Sequence, residues 1–230
     1  MGIIADALAI VLGGLFGSTL QKRSSKNYNI LAISILIISL VGFLENMYNV
    51  QGERINSENL LVVLFSFFIG SKIGERLRIK EKLSNLSKTS NKDLNAFIDA
   101  SLFFGIGGLQ ISGPILLALT NDSSQLFTKG LIDFPFAIAF GSTYGRKISL
   151  SALPVALVQI LIAFIAYFLS DCFSAEMTAQ LCAIGYIILF FSGFNLMTNG
   201  KYKINNINML PSIFLVVLFN LIMRVMESIQ

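Results

Sequence analysis

FTKGLIDFPFAIAFG, residues 127–141, holds nine apolar side chains in fifteen positions, yet it also carries Lys129, Asp133 and Pro135. A run this apolar is either buried in a protein core or faces lipid, and the remainder of the chain decides which. Hydrophobic residues make up 54% of the 230 and charged residues only 13%, with a mean hydropathy of +0.73. A soluble domain carries roughly 25% charged residues. The solvent of this chain is therefore a bilayer, whose hydrocarbon core a helix of about 20 apolar residues can cross.

Outward from a span at about 127–146, apolar stretches recur at about 3–20, 29–48, 59–78, 95–119, 151–170, 177–197 and 207–226, eight in all. The linkers are short, and the longest, KEKLSNLSKTSNKDLN from Lys80 to Asn95, is too small to be a domain. The sequence thus predicts a single transmembrane domain over residues 1–230, an all-α polytopic bundle of about eight spans. Gly105, Gly107, Gly108, Gly113 and Pro114 lie inside the fourth stretch. The alternative is therefore a broken helix with a re-entrant segment between Asn95 and Gly145, leaving seven crossings.

Basic residues set the orientation, because Lys and Arg stay in cytoplasmic loops. Fourteen of the seventeen, running from Lys22 to Lys203, follow the first, third, fifth and seventh spans or sit at their ends; Arg54, Lys129 and Arg224 are the other three. Both termini are expected outside. The same asymmetry accounts for a net charge of +4 and a pI near 9.1, so no nucleic-acid partner is expected. The expected contacts are the lipid bilayer, with anionic headgroups near Arg76–Lys92. MGIIADALAI has no basic segment before its apolar run and carries Asp6 within it, so the first span is expected to remain in the mature protein.

Absences narrow the chemistry. Without His there is no imidazole for a hydrolase triad or a zinc site, and Cys172 and Cys182, ten residues apart, match no redox or metal spacing. No phosphate-binding loop or dinucleotide fingerprint occurs. No enzyme activity, cofactor or metal is expected.

Internal similarity is more informative. ALAIVLGGLFG (7–17) resembles FAIAFGSTYG (136–145), and SFFIG (66–70) resembles LFFSG (189–193), at nearly equal offsets. Residues 1–79 and 127–203 are expected to be parallel repeats. A competing match, DALAIVLGGL (6–15) with DASLFFGIGGL (99–109), would make the repeats inverted; both kinds occur in secondary transporters. Gly13/Gly17, Gly70/Gly74 and Gly141/Gly145 each lie four apart, a spacing that lets helix backbones approach closely. Helix packing within the chain is the plain reading, and a homodimer seam is the other.

Lys129 and Asp133, four apart, share one helix face, and Pro135 removes a backbone donor from the turn before it. Counted from Phe127, Asp133 lies about 9 Å inside its span at 1.5 Å per residue. A carboxylate there must be paired, solvated or bound to a cation. A structural Lys–Asp pair reaching the interface and a functional site are both consistent with the spacing. Gln110 and Gln159 fall near mid-membrane, Asp99 near the inner end of span four where a helix N-terminus favours its charge. Asp6 and Arg224 are close enough to helix ends to be expected in water as anchors.

KGLID (129–133), SALPVALVQ (151–159), SGFNLM (192–197) and NMLP (208–211) follow one another in this order. In these motifs, and along most of its length, the chain resembles the bacterial membrane proteins grouped as domain of unknown function 554. It departs from them after the aspartate, where relatives often have Gly and this chain has Phe134 and Pro135. The resemblance implies a multi-pass inner-membrane protein with a transport role and supplies no substrate. It raises Lys129, Asp133, Gln159, Asn195 and Asn208 above the other polar residues, with Gln110 and Asp99 as further candidates. The reading that results is a small secondary transporter or permease for an unidentified small solute or ion, with Asp133 as cation or proton carrier and Lys129 as its counter-charge. An ion channel, or a non-transporting structural or regulatory membrane subunit, is the alternative.

Overall fold

The computed structural model describes residues 1–20, 29–48, 57–84, 92–105, 107–198, 201–202 and 204–227. Of the basic residues used for orientation, Lys22, Arg23, Lys26, Arg54, Lys88 and Lys203 lie outside the described residues, as does much of the Lys80–Asn95 linker. The described residues are helical almost throughout: α1 (Gly2–Thr19), α2 (Asn29–Met47), α3 (Ser57–Leu77), α4 (Ile79–Ser84), α5 (Lys92–Gly105), α6 (Gly108–Thr120), α7 (Ser124–Tyr144), α8 (Ala152–Phe168), α9 (Ala175–Met197) and α10 (Pro211–Glu227). Short 3-10 turns at Arg146–Ser151 and Asn206–Met209 lead into α8 and α10.

Each of the eight expected stretches is helical, and the chain is an all-α membrane protein. By length and apolarity, Gly2–Thr19, Arg146–Phe168, Ala175–Met197 and Asn206–Met226 can each cross a bilayer singly. Leu94–Gly105 and Gly108–Thr120, bent by 56°, are apolar enough together for a fifth, broken span or for a re-entrant loop. In α3 and α7, 21 residues each, charged side chains interrupt the apolar run. The glycine-rich fourth stretch thus breaks where the sequence pointed, with Gly107 extended ahead of α6. Helix α7 starts at Ser124, three residues earlier than expected, and runs on through Pro135 to a cap at Gly145, whose φ of 85° suits glycine. Asp133 consequently lies about 14 Å along its helix, deeper than the 9 Å expected from the sequence.

The chain divides into two compact units, one comprising Met1–Lys26 with Glu81–Phe168, the other Asn27–Lys80 with Leu169–Gln230. In the first, α1 and α7 lie side by side and parallel. Gly2 sits against Leu126, Gly130 against the Cα of Asp6, and Gly13 against Ala137. A Cβ at Gly17 would strike the Ile138 carbonyl, and one at Gly141 the Gly14 carbonyl. Glycine is required there because backbone meets backbone. Ile10, Ala137, Ala100, Phe104, Ile148 and Val155 form the apolar core beside this seam. Outward, α8 presents Leu153, Leu157, Ile160, Leu161, Phe164 and Phe168, all exposed, as a lipid-facing helix should.

In the second unit α2 and α9 run antiparallel, with Gly42 under the Tyr186 ring and Gly193 against Ile35. Helix α3 lies antiparallel to α10, Gly70 meeting Ser212 and Gly74 the Asn208 carbonyl. Phe67 stacks on Phe191 with ring centroids 5.8 Å apart. Gly13, Gly17, Gly70, Gly74 and Gly141 of the three Gly-x-x-x-Gly pairs are thus packed within one chain, while nothing lies within 4 Å of a Cβ added at Gly145. Cys172 is exposed and Cys182 buried.

Candidate functional site

The parallel seam of α1 and α7 brings two short polar stretches to the same level. Gly130 touches the backbone of Asp6, so the side chains on either side of it, Lys129 and Asp133, meet the Asp6 carboxylate. Lys129 Nζ donates to Asp6 Oδ2 at 2.8 Å and to Asp133 Oδ2. From α8, Gln159 Nε2 donates to the same Asp6 Oδ2 at 2.7 Å and to Gln110 Oε1 at 2.9 Å. Gln110, in the first turn of α6, closes the set by donating from Nε2 to the Val155 carbonyl at 3.1 Å.

Five polar side chains from four helices thus form one network inside an apolar shell. Asp6, Gln110 and Gln159 are 0% exposed, Lys129 5% and Asp133 7%. Burial at this depth keeps charges only when they are paired. Two carboxylates against one ammonium leave one negative charge over. Among the described residues, Asp6 Oδ1 and Gln159 Oε1 are buried side-chain oxygens of this network without a hydrogen-bond partner. Helix α6 starts beside Gln110 with no side-chain cap on its first turn, so the positive end of its dipole lies at the Gln110 end of the network.

Four of the seven candidates named from the sequence, Lys129, Asp133, Gln159 and Gln110, come together here. The other three do not. Asp99 is exposed on α5. Asn195 Nδ2 donates to the Ile204 carbonyl at 2.6 Å, and Ile204 N–H donates back to Asn195 Oδ1 at 2.8 Å, tying the loop after α9 to its helix. Asn208 is buried in the 3-10 turn against Gly74. Both asparagines belong to the second unit. That unit has its own buried amide chain, Gln180 Nε2 to Asn59 Oδ1 at 2.8 Å and Asn220 Nδ2 to Gln180 Oε1 at 2.6 Å, which carries no charge.

Asp6 is the residue that the sequence reading misplaced. Its position four residues into α1 suggested an anchor in water, but α7 and α8 cover it completely. A signal was present: the likeness of 7–17 to 136–145 sets Asp6 within one position of Asp133.

The chain can now be set beside known proteins. It is 26% identical over 216 residues to the "Uncharacterized membrane protein YdfK" of Bacillus subtilis (strain 168), covering 93% of each chain. It is 23% identical over 228 residues to the "Uncharacterized protein YqgA" of Escherichia coli (strain K12), covering 94% of each. No solved structure matches it. The family model described as "Protein of unknown function (DUF554)" matches residues 1–221, and with that match over nearly the whole length the chain belongs to the DUF554 family of membrane proteins.

Proposed function

We propose that this protein is a small secondary transporter or permease of the bacterial inner membrane, moving a small solute or ion by alternating access and coupling through the Asp6–Lys129–Asp133–Gln159–Gln110 cluster. The observation that carries this reading is a buried, singly charged surplus at a break between two half-helices, α5 and α6. Ionisable groups inside a membrane mark ion and proton pathways, and discontinuous helices whose free ends face the site are a recurring device of transporters. A packed scaffold needs neither a surplus charge nor buried oxygens without partners.

Helix directions support eight crossings, which put both termini on one face, and the placement of Lys and Arg makes that face the outer one. Parallel α1 and α7 require an odd number of crossings between them, which α2, α3 and the bent α5–α6 pair supply only if that pair crosses fully. The antiparallel pairs α2 with α9 and α3 with α10 obey the same count. The side-by-side packing of the two similar stretches, 7–17 and 136–145, is in keeping with an internal duplication that includes α1 and α7.

Flux through proteoliposomes tests the reading. A coupled transporter gives saturable uptake that depends on an ion gradient and loses that dependence when the carboxylates of the cluster are replaced together, in Asp6→Asn with Asp133→Asn. Current without coupling makes the protein a channel, and no flux for any offered ion or solute class removes the transport reading.

A further inference from the structure

One bound proton answers both the surplus charge and the two unpartnered oxygens. Gln159 is oriented by its neighbours: both Nε2 hydrogens are taken, one by Asp6 Oδ2 at 2.7 Å and one by Gln110 Oε1 at 2.9 Å. Turning the amide over would set oxygen against two acceptors. Its Oε1 is therefore a fixed acceptor, buried and unpartnered. Asp6 Oδ1, the second oxygen of the carboxylate that Gln159 Nε2 holds, is also buried and unpartnered. A carboxylic acid and a primary amide pair through two hydrogen bonds, amide N–H to one carboxyl oxygen and carboxyl O–H to the amide oxygen. The first of these is in place, and a proton on the free carboxyl oxygen is what the second requires.

We propose that Asp6, rather than Asp133, carries the cluster's exchangeable proton, held on Oδ1 and donated to Gln159 Oε1 as an acid–amide pair. One proton satisfies both orphaned oxygens, each of which would otherwise carry the cost of a buried unpaired polar atom. It also brings the cluster to neutrality, because Lys129 and Asp133 then form a pair of net charge zero. Proton transfer here makes one O–H bond, at Asp6 Oδ1, with a proton taken from water at one face of the membrane. Release breaks that bond, returns the proton to water at the other face, and leaves Asp6 to be held by the Lys129 ammonium.

The groups around Asp6 permit this assignment. Helix α7 presents Lys129 and Asp133. Helix α8 presents Gln159, and its one ionisable side chain, Tyr167, lies two turns further along; α6 has none. Arg146 and Lys147 of the 3-10 turn that packs on α1 are exposed near the far end, where Ser149 meets Gly14. Among the described residues of α6, α7, α8 and that 3-10 turn, only Lys129 and Asp133 bring charge to Asp6.

The proposal rests on the transport reading only for the proton's purpose, and its test is separate from flux. Infrared spectra of the full chain in lipid nanodiscs at neutral pH are expected to show the carbonyl stretch of a protonated carboxylic acid. That band should be absent from Asp6→Asn, which keeps the neutral Lys129–Asp133 pair and should fold. In Gln159→Leu it should move to the higher frequency of an unbonded acid. A wild-type spectrum without the band overturns the assignment, and so does a band that Gln159→Leu does not move. Sodium or potassium chloride that raises the thermal stability of wild type but not of Asp6→Asn would give the two oxygens to a metal cation instead, and overturns it equally. A band without solute flux leaves the acid–amide pair standing and removes transport; flux without a band does the reverse.

Discussion

Gln159 Nε2 donates to Asp6 Oδ2 at 2.7 Å although 153 positions separate the two residues in the chain. The bond joins the first long helix to the middle of α8 across the α1–α7 seam, at the point where the Lys129 ammonium already holds the same oxygen. The whole charged network hangs on that shared atom, which orders the consequences of mutation.

Lys129 is the residue whose loss costs most. Lys129→Met leaves the buried Asp133 carboxylate without its counter-charge, and breaking a buried pair in this way costs roughly 3–5 kcal/mol. Thermal unfolding in detergent is expected to show a large drop for this variant. Adding Asp133→Leu, which removes the stranded carboxylate, is expected to restore much of it. A single Lys129→Met variant as stable as wild type contradicts the buried pairing.

The α1–α7 seam is a second sensitive place. A side chain at Gly17 would run into the Ile138 carbonyl, which is backbone and cannot step aside, so Gly17→Leu is expected to lower folding yield severely. Gly107→Ala is the matched control, since its φ is −172° and nothing lies within 4 Å of an added Cβ. Parallel measurement of monodisperse yield for the two variants checks the contrast.

Orientation has a native reporter. Cys172 is exposed in the link between α8 and α9 and Cys182 is buried, and eight crossings with outside termini place that link outside. A membrane-impermeant maleimide is expected to label intact cells at Cys172 and to leave Cys172→Ser unlabelled. In that background Thr120→Cys, at the end of α6, should label too if the bent pair crosses fully. Protection at residue 120 with labelling at 172 would make the pair re-entrant.

Asn195 separates structural from functional polarity. Asn195→Ala removes both hydrogen bonds to Ile204, a loss of about 1–3 kcal/mol if the Ile204 groups stay unpaired. Stability should fall while ion dependence of uptake, measured in the same preparation, is retained. Loss of coupling at wild-type stability would bring Asn195 into the site.

The sequence by itself determined the solvent, the helices and their ends to within a few residues, because apolarity over about 20 residues and the placement of Lys and Arg are local quantities. It also pointed to Lys129 and Asp133, whose i,i+4 spacing fixes a shared face on any helix. It drew attention to the glycine run at 105–108, because glycine weakens a helix wherever it stands. Whether Asp6 reaches water is not local. That depends on which helix covers it, and only the parallel packing of α1 against α7, set by glycines more than 100 positions apart, turned an apparent anchor into the centre of a buried network. The same packing left Asn195 and Asn208 in the other unit, since a motif fixes the order of residues along the chain and tertiary contacts alone fix which of them meet.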